Sequence, residues 1–174
     1  DLIGAEVTDG KRDVFLGTKD GLSIRFNEDD VREIGRTGKG VIGVRLDEGN
    51  EVVGMEIVRD DSTILTVTEN GFGKRSSLED YRSQSRGGKG IITIKTTEKN
   101  GRVIGIAQVS KDDEILLITG NGKILRTRAK DISVQGRNTQ GVRLLETEEG
   151  DKVKSVAKVV ERDDDKEVAV ERDQ

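Results

Sequence analysis

The chain has 174 residues, 34 acids against 30 bases, no histidine, a formal charge of −4, and only 32% hydrophobic and 2% aromatic residues. That suffices for one domain of ordinary size, but it is lean for a single compact core and better suited to a thin, repetitive architecture. The absence of Cys excludes disulfides and thiolate metal sites, no run of about 18 apolar residues offers a membrane span, and DLIGAEVTDGKR lacks the regions of a signal peptide, so an intracellular soluble protein is expected.

In chain order, GAEVT (4–8) is a short strand-like block, followed by the strand DGKRDVFLGT, an Asp20-Gly21 turn and the strand SIRF. A glycine-rich loop, GRTGKG, leads to VIGVRL and then VVGMEIV. The same succession returns as DSTILTVT, Asn70-Gly71, GKRS, QSRGGKG, IITIKT and VIGIAQV, and again as EILLIT, Asn121-Gly122, ILRT, GRNTQG, VRLLET and VKSVAKV. The strands are short, β-branched and bounded by turn residues, and the Asp-Gly and Asn-Gly pairs are those of two-residue hairpin turns. Gly21, Gly71 and Gly122 stand 50 and 51 residues apart, each followed at fixed offsets by Arg25, Arg75 or Arg126, by Asp30, Asp80 or Asp131, by Arg36, Arg86 or Arg137, and by Gly40, Gly90 or Gly141.

Such a period, with about four strands per unit and no convincing helix, is the pattern of propeller blades. The fold class expected is all-β: three repeats over 1–160 (roughly 1–50, 51–101 and 102–152), with 153–160 as the opening strand of a fourth. Propellers close with about four to eight blades, so three repeats form part of a larger ring. Residues 161–174 hold seven acids and three bases, which leaves 1–160 with 27 of each; the segment reads as an acidic, disordered tail on a neutral body.

The phrases ENGFGKRSSLEDYRSQSRGGKGIITIK and GNGKILRTRAKDISVQGRNTQGVRLL resemble the C-terminal domain of the DNA gyrase A protein, and topoisomerase IV carries a relative of that domain. The resemblance implies a six-bladed β-pinwheel whose blades exchange strands, with three blades and the tail represented here. It implies a basic rim that binds and wraps double-stranded DNA and supports ATP-dependent negative supercoiling by a parent type IIA DNA topoisomerase. Partners would be DNA, the rest of the gyrase A protein, and the gyrase B protein in an A2B2 assembly, in the bacterial cytoplasm at the nucleoid and away from membranes. The family's box of Gln, basic, Arg, Gly, Gly, basic, Gly is matched by Gln84, Arg86, Gly87, Gly88, Lys89 and Gly90, with Ser85 departing from it.

The same loop is no nucleotide cradle, because Lys89 is followed by Gly90 and a β-branched run where a P-loop needs a hydroxyl and a helix. Two readings stand for Arg36, Arg86 and Arg137: inter-blade salt bridges, or contacts to DNA phosphates. Lys74, Arg75, Arg126 and Arg128, just past the hairpin turns, are either solvated edge protection or part of a basic track. Lys39, Arg82, Lys89, Lys95 and Arg143 cluster around the glycine loops and favour the track.

Tyr81 aligns with Val31 and Ile132 and reads as a packing residue, not a cleavage tyrosine. Asp30, Asp80 and Asp131 read as turn or cap residues. No catalytic residue and no metal ligand is assigned; ATP and Mg2+ would be used by other parts of the parent enzyme. Rival readings are the topoisomerase IV domain and a non-catalytic protein-interaction propeller, which would show a docking patch and no affinity for duplex DNA.

Overall fold

The computed structural model describes residues 1–159. The acidic segment 161–174 lies outside the described residues. Eleven strands are formed among them: β1 (Asp13–Thr18), β2 (Leu22–Asn27), β3 (Val52–Ile57), β4 (Thr63–Thr68), β5 (Phe72–Ser77), β6 (Ile91–Ile92), β7 (Val103–Val109), β8 (Glu114–Thr119), β9 (Ile124–Arg128), β10 (Val142–Arg143) and β11 (Val153–Val159). They make three antiparallel sheets in the orders β3-β1-β2-β6, β10-β5-β4-β7 and β11-β8-β9. The only helices among the described residues are 3-10 turns at Glu28–Asp30, Leu78–Asp80 and Ala129–Asp131, and none is long and apolar enough to cross a membrane.

Each sheet is a blade, and the blades trade strands. The outer strand of the first, β6, comes from the second repeat and pairs Leu22 with Ile92; that of the second, β10, comes from the third and pairs Phe72 with Arg143. VKSVAKV, expected to open a fourth unit, pairs with β8 as β11 and completes the inner side of the third blade. VIGVRL of the first repeat forms no strand, because no preceding blade stands among the described residues to receive it; IITIKT and VRLLET shrink to two paired residues each. GAEVT likewise forms no strand.

The hairpin turns are not the two-residue turns expected from their Asp-Gly and Asn-Gly pairs. Gly21, Gly71 and Gly122 alone take positive φ (85°, 79° and 84°), while Asp20, Asn70 and Asn121 do not. The Gly21 and Gly71 amides donate to Thr18 and Thr68 carbonyls, giving three-residue loops that end in a left-handed glycine. After β2 and β5 the chain bends into a 3-10 turn because Asn27 and Ser77 accept from the Asp29 and Glu79 amides. The caps are thus Asn27 and Ser77, and Asp30, Asp80 and Asp131 close the turns.

The core lies between blades. Alternate residues of a strand face opposite sides of its sheet, so a blade with two neighbours is buried throughout and a blade with one is buried every second residue. β4 is buried from Ile64 to Thr68, whereas in β8 Ile115, Leu117 and Thr119 are buried and Leu116 and Ile118 only half-buried. One interblade cluster joins Phe15, Ile64, Tyr81, Ile94 and Ile106; the other joins Leu65, Val67, Ile115, Leu117, Ile132 and Leu145. Tyr81 packs edge to face on Phe15 with centroids 4.9 Å apart, and its hydroxyl hydrogen-bonds Thr93 at 2.7 Å.

Candidate nucleic-acid interface

The strand exchange places the glycine-rich loops end to end on the outer side of the blades. After its 3-10 turn the second repeat crosses the edge of β2, where the Gln84 amide donates to the Arg25 carbonyl at 2.9 Å. The QSRGGKG loop then lies along the corresponding segment of the first repeat: Gly87 N–H donates to the Gly43 carbonyl, Arg45 N–H to the Gly88 carbonyl, and Lys89 pairs with Asp47 at 2.7 Å. The third repeat does the same to the second, with Gln135 N–H on the Arg75 carbonyl and Lys95 N–H on the Thr139 carbonyl, both at 2.8 Å. Segments 34–46, 81–97 and 132–145 therefore form one continuous belt.

That belt carries Arg36, Lys39, Arg45, Arg82, Arg86, Lys89, Lys95, Arg137 and Arg143, and at its margins stand the acids Glu33, Asp47 and Glu146, of which Asp47 pairs with Lys89. Nine of the chain's 30 bases stand on this edge, although the chain as a whole is acidic. Like charges held on one surface create a field that attracts a polyanion. Most of these side chains are exposed, and Arg86 and Arg137 are half-buried.

Among the described residues, Arg86 and Arg137 make no interblade salt bridges. Arg86 donates to the Asp30 and Ile42 carbonyls and Arg137 to the Ile92 carbonyl, so each straps its loop to the preceding repeat while keeping its full charge. Arg143 lies with its guanidinium 4.8 Å from the Phe72 ring centroid, and Lys99 is 5.5 Å from the same ring. Arg36, Lys39, Arg82 and Arg128 are exposed. Arg126 is exposed and paired with Glu114.

Lys74 and Arg75 are not on the belt's surface, contrary to expectation. Lys74 is fully buried and donates to the Gly136 and Arg137 carbonyls, the latter at 2.8 Å; Arg75 is 6% exposed and donates to the Ile132 carbonyl at 2.9 Å. Burial pulls the Lys74 ammonium down to about 8, with Asp80 opposing the shift and Arg137 adding to it, and burial also lowers Arg75. Both tie β5 to the following repeat and neither reaches a ligand outside. Arg45 was missing from the sequence-derived set, although it stands 24 residues after Gly21 just as Lys95 stands 24 after Gly71. Among the described residues, no three His, Cys, Asp or Glu side chains are grouped to hold a metal ion.

Strand-exchanging blades in series, two of four strands and one of three among the described residues, with a belt of bases along their outer edge, define a propeller-like repeat protein of the pinwheel type. The family model described as "DNA gyrase C-terminal domain, beta-propeller" matches residues 12–59, 62–110 and 113–159, one match per repeat. The chain belongs to that family, as the C-terminal domain of a DNA gyrase A protein. It is 54% identical over 177 residues to the DNA gyrase A protein of Halalkalibacterium halodurans, with 99% of this chain and 21% of that protein covered, and 44% identical over 168 residues to that of Klebsiella oxytoca, with 97% and 19% covered. The chain thus spans about a fifth of the length of these relatives. A solved DNA gyrase A C-terminal domain superposes with a TM-score of 0.81 at 35% identity over 88% of this chain and 52% of that one. A topoisomerase IV C-terminal domain superposes with 0.86 at 28% identity over 97% and 53%.

Proposed function

We propose that this domain binds duplex DNA along the belt and wraps it, and so serves negative supercoiling by a gyrase whose cleavage and ATP-dependent steps, with their Mg2+, lie in other domains and in the gyrase B protein. The observation that carries the reading is the row of nine bases along three consecutive loops, with acids only at the margins. Its spacing is set by the blade repeat, so successive cations meet successive stretches of one curved path. Lys and Arg contacts to phosphates hold a duplex in register without reading sequence. With three Phe, one Tyr and no Trp, the chain has few rings on which to stack single-stranded bases. Bending 20–30 base pairs costs about 1–6 kcal/mol, which several phosphate contacts offset. The setting that follows is the cytoplasm, at the nucleoid.

The test is binding to random-sequence duplex, linear and circular, across a salt series. About six phosphate contacts give a log–log slope near −5, at about 0.9 per contact. Replacing Lys39, Lys95 and Arg143 together by Ala is expected to lower that slope by about 2.7. A salt-independent affinity, or one unchanged in this variant, overturns the reading in favour of a scaffold that binds proteins.

A further inference from the structure

At each of the two joints between blades, the loop of the later repeat crosses the belt from one side to the other. Ser83 bridges to Arg25 near the 3-10 turns, Ile91 pairs with Ser23, and the Thr93 amide donates to the Gly21 carbonyl at the hairpin turn. Val134, Val142 and Leu144 take the same course past Arg75, Gly73 and Gly71. The belt therefore has two margins, a row of 3-10 turns and a row of hairpin turns.

The charges between those margins differ from repeat to repeat. The second loop carries Arg82, Arg86, Lys89 and Lys95, and the first has a base at each equivalent place. In the third only Arg137 remains of these four, with Ser133, Gln140 and Glu146 at the other places; Arg143, where the second loop has Ile92, is the one base gained. The 3-10 turn changes in the opposite sense. Where the first two repeats have Asn27 and Asp29, and Ser77 and Glu79, the third has Arg128 and Lys130.

This exchange costs the third turn its cap. Asn27 and Ser77 accept from the Asp29 and Glu79 amides, whereas Arg128 makes no side-chain hydrogen bond to its turn. A cation in place of a cap gives up local stability, which is the pattern of a residue kept for a ligand. Arg128 and Lys130 are exposed. The open edge of β9 is not the reason: Glu79, the counterpart of Lys130, is also exposed, and Ser77 half-buried, where the third repeat covers β5. Lys111, whose carbonyl accepts from the Lys130 amide at 3.0 Å, adds a further exposed base on this margin. Of the acids beside them, Asp113 is paired with Lys158 at 2.7 Å, and Asp112 and Asp131 are exposed.

Resting on the reading that the belt holds duplex DNA, we propose that the duplex leaves the line of the loops at the third repeat and crosses its 3-10 turn, held there by Arg128, Lys130 and Lys111. Bases at the turn margin and Glu146 at the hairpin margin displace a polyanion in the same direction. The path is then oblique to the row of blades, and a duplex following it is carried sideways as well as around.

The chain lacks cysteine, so a single cysteine bearing an iron chelate reports by radical cleavage which margin the duplex passes. Cleavage is expected to be stronger from Lys95→Cys than from Glu79→Cys in the second repeat, and stronger from Lys130→Cys than from Glu146→Cys in the third. Arg128→Ser with Lys130→Glu, which gives the third turn the residues of the second, is expected to lower the log–log salt slope by about 1.8. Duplex that binds but is cut more strongly from the same margin in both repeats overturns the path, as does an unchanged slope in the double variant. A parent chain that retards no duplex overturns the underlying reading, and the path with it.

Discussion

The two joints share a backbone and differ in what fills it. In the joint between the first and second blades, β2 contributes Ile24 and Phe26, both buried, at positions where β5 in the next joint has Lys74 and Ser76. The first joint is closed by an aromatic pair, Phe15 and Tyr81, in an apolar cluster. The second has an aliphatic cluster, and three consecutive polar side chains, Lys74, Arg75 and Ser76, reach the carbonyls of Gly136, Arg137, Ile132 and Gln135. Only Arg25 keeps its counterpart in both. The repeat therefore fixes the strand path and the arginine, and leaves open whether packing or hydrogen bonding holds the remaining surface.

The largest expected effect breaks the first joint. Phe15→Ala removes a fully buried ring and is expected to cost about 3–5 kcal/mol in urea denaturation, against about 2–5 kcal/mol for Leu65→Ala in the second. A markedly smaller loss for Phe15 would mean that the aromatic pair adds nothing beyond its neighbours. Next comes the polar solution. Lys74→Met fills the same space and takes the Lys74 donor from the Arg137 carbonyl, while the Gly136 carbonyl keeps the Thr139 hydroxyl, at an expected cost of about 1–3 kcal/mol; Ile24→Met, its counterpart, orphans no polar group and is expected to cost less than about 1.5 kcal/mol.

A subtler separation of the joints is by pH. Lys74 has a lowered folded pKa, about 8, so in the window from 8 to its ordinary value of 10.5 the unfolded chain holds more protons and stability rises with pH. Tyr81 is buried and raised above 10, so its contribution is full below 10 and is lost as pH rises through the folded value. Lys74→Met is expected to flatten the rise between pH 8 and 10, and Tyr81→Phe to delay the loss above it, both read as urea midpoints. The smallest effect on stability belongs to the belt: Lys39→Ala and Lys95→Ala are expected to stay within about 0.5 kcal/mol of the parent chain.

Strand identity and order were legible because each repeat states them again, so an ambiguous run such as SIRF is settled by GKRS and ILRT. The glycine loops as a basic edge were legible for the same reason. That the blades exchange strands came from the family resemblance and not from the local pattern. IITIKT is adjacent in sequence to its own repeat and pairs with the previous one, and no local pattern distinguishes the two. The same gap hid the use of Lys74 and Arg75: alternation places them on an edge strand, and only the loop arriving from the third repeat, some sixty residues later, buries them. The straps from Arg86 to the Asp30 and Ile42 carbonyls were not foreseen, because main-chain carbonyls leave no trace in sequence.

Because the second and third repeats each give a strand to the blade before them, the seam between neighbouring blades does not coincide with the seam between repeats. Cutting out one whole unit, from the turn at Gly21 to the turn at Gly71, would leave the flanking ends still matched. Such an array can lengthen or shorten by whole units without inventing a new contact. The number of blades, and with it the length of the basic belt, is then open to change by duplication or loss of a single block of gene sequence.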